Sequence, residues 1–168
     1  TQQMSEFTVN IKCDKPVIEF MVTRYGEQPI RFPKKDRFNT LLAFTLQKPP
    51  RDYCGELNHG KENLCVYLPG MEDKNVSYWN FLSDIAQFEI ANKMKALMKS
   101  EFHTYVDKAK TKDIDFNLHA SIYLFMEQNN ISPEAFDMFL KERKRYLERI
   151  RKHRKHKKIT SDKQPVCP

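Results

Sequence analysis

From Arg151 to Lys158 the chain carries only Arg, Lys and His. A stretch with nothing apolar to bury cannot join a core, so it must stand away from whatever fold precedes it. It closes a longer cationic run, Lys141 to Lys158, in which eleven Lys or Arg face two acids, Glu142 and Glu148, for +9 in eighteen residues. The whole chain is +7, so the other 150 residues sum to −2. A near-neutral body therefore carries one concentrated positive element.

The residues before that element change hydrophobic period. Phe7, Val9 and Ile11 alternate with Thr8, Asn10 and Lys12, the two-residue repeat of a half-buried strand. Val17 to Tyr25 is rich in β-branched and aromatic residues, with Ile18, Phe20 and Val22 in alternation, and reads as a second strand. Gly26 suits a tight turn into a short strand, Pro29 to Phe32. Phe38, Leu41, Leu42 and Leu46 then step by three and four, predicting a helix over Lys35 to Lys48 that Pro49-Pro50 stops. Asn63 to Leu68 reads as a strand.

From Tyr78 helical spacing takes over, through Phe81, Leu82, Ile85 and Phe88 to Met94, Met98, Phe102 and Val106, with a break expected near Asn92 or Ser100. Lys108 to Asp113 reads as a connector and Asp115 as the cap of a helix facing inward through Leu118, Ile122, Phe125 and Met126. Asn129-Asn130 suits a helix end, and Ser132-Pro133-Glu134 a restart. The last helix opens apolar, with Phe136, Met138, Phe139 and Leu140, and continues one face through Leu147 and Ile150. The expected fold is α+β. A β-rich module with one helix (β-β-α-β) spans 1–70, a helical region ending in an exposed basic helix spans 75–158, and a disordered tail spans 159–168.

Composition excludes several functions. Four glycines leave little material for phosphate loops, and neither a dinucleotide fingerprint nor a P-loop string is present. The longest apolar run, Ile122 to Met126, is far too short to span a membrane, and no signal peptide is visible. Cys13, Cys54, Cys65 and Cys167 have irregular spacing, as expected of reduced thiols in a cytoplasmic protein. Cys54, His59 and Cys65 fit no zinc pattern, and His153 and His156 sit where neighbouring cations repel a metal, so no metal or other cofactor is expected. Glu142-Arg143-Lys144 is an acid-x-Lys string on the basic helix, and His103 and His119 lie beside aromatic residues. Catalysis finds no support, and the chain is not expected to be an enzyme.

A cationic helix implies a polyanionic partner, because neutralised phosphates release condensed counterions. The expected contacts are Lys141, Lys144, Arg145, Arg149, Arg151, Lys152, Arg154, Lys155, Lys157 and Lys158, with Arg31, Lys34, Lys35 and Arg37 as a secondary basic patch. Ile122 to Gln128, the turn at Asn129-Asn130-Ile131 and Ser132 onward also resemble helix-turn-helix DNA-binding units in spacing. They depart at Met126, where a small residue is usual, and at Asn129, where an apolar one is usual. That resemblance implies that Glu134, Asp137, Lys141, Lys144 and Arg145 lie near DNA. The expected function is a DNA-binding regulator or accessory protein of prokaryotic or phage type, with duplex DNA favoured over RNA and no membrane contact. The N-terminal module would serve self-association or a protein partner. Two other classes remain open: an RNA-binding or ribosome-associated protein, and a structural or adaptor protein such as a phage assembly component, for which the Trp79, Phe81, Phe88 stripe offers an interface.

Overall fold

A computed structural model describes residues 7–52, 62–71 and 73–161, with side chains on the last helix as far as Arg154. The fold is α+β, with a small antiparallel sheet near the N-terminus and a helical C-terminal half. In order the elements are β1 (Thr8–Lys12), α1 (Lys15–Tyr25), α2 (Arg37–Thr45), β2 (Asn63–Tyr67), α3 (Asp84–Lys112), α4 (Leu118–Gln128), a short 3-10 turn (Pro133–Ala135) and α5 (Phe136–Ser161).

β1 and β2 pair antiparallel, with Val9 opposite Val66 and Ile11 opposite Leu64. All four side chains are buried, so the period-two pattern places one face of the sheet on the core. The segment expected as a third strand contributes a single parallel bridge, Ile30 to Val66.

Val17 to Tyr25 is helix rather than strand, so the N-terminal order is β-α-α-β instead of β-β-α-β. Pro16 sits in the first turn of α1, where a missing N–H costs nothing, and Gly26 follows its end at φ 101°, a conformation that favours glycine. Val17, Ile18, Phe20 and Met21 are the buried residues, and 17, 18 and 21 make one helical face. These end signals and tertiary burial outweigh the β-propensity of the individual residues. In α2, Asp36 caps the helix by accepting from the Phe38 N–H at 2.7 Å, while its other oxygen accepts from the Tyr25 hydroxyl at 2.8 Å.

α3 runs unbroken through Asn92 and Ser100 for 29 residues and takes in most of the expected connector. It starts at Asp84 rather than near Tyr78, because the Ser83 hydroxyl accepts from the Ala86 N–H and Phe81 pairs with Gln47 in an isolated bridge. Ile85 and Phe88 accordingly face solvent, and Ala86, Ile90, Met94, Met98, Phe102, His103 and Val106 are the buried set. Asn117, not Asp115, caps α4, accepting from the N–H groups of His119 and Ala120. Ile122, Phe125 and Met126 bury the expected face. Asn130 takes a left-handed conformation at φ 50°, ending the helix as expected. Ser132 makes no capping bond, and its hydroxyl and N–H both donate to Glu19 of α1. α5 extends to Ser161, past the start of the expected tail; residues 162–168 lie outside the description, as do Cys54, His59 and Cys167.

One buried cluster runs from Val9 through Leu46, Val66 and Met98 to Phe139, so the strand-bearing half and the helical half share a core. Phe102 is its aromatic centre, with ring centroids 5.3 Å from Phe125 and 4.8 Å from Phe139. Cys13 and Cys65 are free thiols. Burial, reinforced by the Asp14 charge, pushes the Cys13 thiol up to about 12, which leaves it unreactive at neutral pH. Phe102→Ala is expected to cost about 3–5 kcal/mol in urea unfolding, because it opens a cavity where α3 meets α4 and α5.

Candidate nucleic-acid interface

The core periodicity continues into the basic helix. From Ala135 at the end of the 3-10 turn, Phe139, Glu142, Arg143 and Tyr146 of α5 follow at three- and four-residue steps, so two charged residues occupy inward positions. Glu142 and Arg143 are buried at 7% and 3% exposure, which sequence reasoning missed although the spacing carries the signal. Buried charges require partners, and α3 supplies them. One Glu142 oxygen accepts from Lys99 Nζ at 2.7 Å, and the other accepts from Arg149 Nη2 at 3.1 Å. Arg143 donates to Asp107 and lies over the Tyr146 ring at 5.2 Å. The His103 ring stacks on Tyr146 at 3.9 Å, and its Nε2 stands 3.6 Å from Glu142, beyond hydrogen-bond length.

Burial raises the Glu142 carboxyl, but the hydrogen bond and charge of Lys99, with His103 and Arg149 beside it, more than offset this and hold it below the usual carboxylate range. Burial lowers the His103 imidazole, and the Arg143 charge adds to that against the pull of Glu142 and Asp107, so the ring is neutral at neutral pH.

Of the expected contact residues, Lys141, Lys144, Arg145, Arg151, Lys152 and Arg154 are exposed, and among the described residues none is in an ion pair. Arg149 is 63% exposed at its side chain while bound to Glu142, which places it at the boundary between the anchored and projecting parts of the continuous helix α5. Lys155, Lys157 and Lys158 lie on the same helix, with side chains outside the description.

The helix-turn-helix geometry is less favourable to docking. The exposed front of the second helix presents Glu134 and Asp137 before any cation, and Glu134 is engaged by Lys15 at 3.2 Å. The turn itself is covered by α1, where the Thr23 hydroxyl donates to the Asn129 carbonyl at 2.7 Å.

The secondary basic patch divides. Arg31 lies over the Tyr67 ring at 4.2 Å, and Lys34 and Lys35 are exposed in the turn before α2. Arg37 instead borders a groove of about 600 Å³ between α2 and α3, with Leu41, Phe44, Lys93, Leu97 and Ser100. A second cleft of about 380 Å³ between α3 and α5 holds Lys99, His103, Glu142, Tyr146 and Arg149. Both include Ala96 and Ser100, so they adjoin along α3 and link Arg37 to the basic helix. Lys93 and Lys99 were not singled out in sequence, because each is an isolated lysine on an ordinary helix face.

Among the described residues no group of three or more His, Cys, Asp or Glu is placed to hold a metal, and no described helix is long and apolar enough to cross a membrane. No family model matches the chain, and comparison with curated proteins and with solved structures finds no match.

The depressed titration of His103 and Glu142 fixes a pH response. The unfolded chain takes up each proton first as pH falls, so the contribution of His103 is lost below about pH 6.5 and that of Glu142 below about pH 4.5. Tm is therefore expected to fall in two stages on acidification. Glu142→Gln should remove the lower stage and lower Tm at pH 7, as followed by circular dichroism across pH 3–8.

Proposed function

We propose that the protein binds nucleic acid through the exposed cations of α5, as a binding protein and not a catalyst. The observation that carries this reading is the set of exposed cations at Lys144, Arg145, Arg151, Lys152 and Arg154, which no acid of the described structure neutralises. Guanidinium groups and amines arranged around every side of a helix suit a groove with phosphates on both walls. A membrane surface fits less well, because no apolar face accompanies the cations beyond Ile150.

Within nucleic-acid binding, a basic-helix arm is favoured over helix-turn-helix docking. Glu134 and Asp137 would meet the phosphates first in the latter arrangement, and the like charge opposes it. A regulatory or accessory role on DNA, of the prokaryotic or phage kind, is the functional class proposed. Binding to structured RNA would use the same arm, and an adaptor role would place the arm against an acidic protein chain.

A chain ended after Ile150 keeps the Arg149–Glu142 pair and loses seven cations, Arg151, Lys152, Arg154, Lys155, Lys157, Lys158 and Lys163. It is expected to unfold within about 0.5 kcal/mol of the full chain, because the removed residues make no described core contact. Its non-specific affinity for duplex DNA should fall below detection at 150 mM salt. The full chain should show log affinity falling against log salt with a slope of about −5 to −6, for roughly five to seven phosphates engaged. Fluorescence anisotropy titrations at four salt concentrations decide the matter, and a flat salt response would remove the phosphate-driven mechanism.

A further inference from the structure

Phe44 is 81% exposed at the end of α2. A lone exposed phenylalanine is ordinary on a protein surface. This one lines a groove of about 600 Å³ together with the apolar Leu41 and Leu97, and with Arg37 and Lys93. No carboxylate lines that groove. Lys93 and Lys99 are six residues apart on α3, about 9 Å along its axis. Through Ala96 and Ser100 the groove adjoins the cleft of Lys99 and Arg149, beyond which α5 carries its exposed cations. An exposed aromatic ring in a groove with apolar Leu41 and Leu97 and the cations Arg37 and Lys93, adjoining a cleft where Lys99 and Arg149 share the Glu142 carboxylate, is an arrangement that can hold an unpaired base and contact its phosphates.

Resting on the nucleic-acid reading above, we propose that Phe44 is a base-stacking platform and that the α2–α3 groove takes a single-stranded polynucleotide, DNA or RNA. One base lies against the phenyl ring, and the backbone runs past Arg37 and Lys93 toward Lys99 and Arg149. A duplex cannot use this site, since its base faces are already stacked on one another. The phosphate contacts at the tip of α5 serve duplex and single strand alike. The groove therefore adds affinity for unpaired nucleic acid only. An acidic peptide would match the charge of Arg37 and Lys93 but gives no reason for an aromatic ring rather than any other apolar side chain.

The test compares mixed-sequence 20-nucleotide single-stranded DNA, single-stranded RNA and duplex DNA on the full chain at fixed salt. Phe44→Ala is expected to weaken binding of the single strands by about 5- to 150-fold, the loss of one stacked base, and to leave duplex binding unchanged. Phe44→Leu keeps apolar bulk without the ring and should weaken single strands to a similar extent. Phe44→Trp should retain their affinity and show fluorescence quenching beyond that of Trp79 in the wild type. A DNA strand preferred over RNA, or the reverse, identifies the source of the polymer; loss on either one supports the platform. Unchanged single-strand affinity in Phe44→Ala overturns this proposal alone while duplex binding persists, as does equal loss on single strand and duplex. A leucine variant that binds as tightly as the wild type also overturns it, in favour of a generic apolar contact. Failure of the full chain to bind any of the three polymers overturns both this proposal and the nucleic-acid reading beneath it.

Discussion

The fold depends on one buried stripe of α3. Ala86, Ile90, Met94, Met98, Phe102 and Val106 recur at every fourth residue, and all six are buried. At about 100° per residue each step advances the stripe by about 40° around the helix, and the five steps turn it through about 200°. The two ends of α3 therefore present apolar surface in nearly opposite directions. β1, α1 and α2 all pack on α3, and its later part meets α4 through Phe102 and Phe125. A stripe of strict heptad spacing would hold one direction and serve one neighbour. The winding allows a single helix to unite a small sheet with a helical hairpin in one core, although the sheet of two strands would not be stable alone.

The second constraint is the acid buried inside the basic helix. Glu142 sits among Lys99, His103 and Arg149, so it removes cationic repulsion at the point where α5 leaves the body. Replacing such a cluster by apolar residues is often neutral or stabilising, so its presence says little about net stability. What it does determine is geometry. The hydrogen bond from Lys99 to Glu142, with Arg143 held by Asp107 one residue later, ties α5 to α3 and fixes its rotation about its axis. That rotation turns Lys141, Lys144 and Arg145 outward and Phe139 inward.

How far this was legible in sequence varied with the kind of signal. β1, β2, α2 and α4 were visible because their apolar spacing and their end signals agreed. Val17 to Tyr25 was misread because β-branched residues happened to alternate there, while Pro16 and Gly26 marked a helix at both ends. Ile85 and Phe88 were taken as core because an apolar stripe looks the same whether the helix starts at Tyr78 or Asp84, and only Ser83 capping and the Phe81 bridge decide. Glu142 and Arg143 were legible by position, since they fall on the same face as Phe139, but composition disguised them among eleven other charges. The α2–α3 groove was not legible at all. Arg37 and Lys93 are far apart in sequence, and their meeting depends on how α2 crosses α3.

The division between anchored and projecting cations also bears on how binding responds to salt. Outside Lys141 to Lys158 the chain sums to −2, so attraction to a polyanion cannot arise from the body as a whole. From Arg149 to Ser161 α5 advances twelve residues, about 18 Å, whereas the Debye length is about 10 Å at 0.1 M salt. Backbone positions in the second half of that span lie farther than a Debye length from Glu142 along the helix. Arg149 and Lys99, held close to a carboxylate, are already largely neutralised and release little when a phosphate approaches. If the arm and the groove bind as proposed, salt would weaken contacts at the helix tip more than the stacking contact at Phe44, which displaces no counterion. On the two proposals above, the share of binding held in the groove would rise with ionic strength, since the proposed stacking contact does not depend on counterion release.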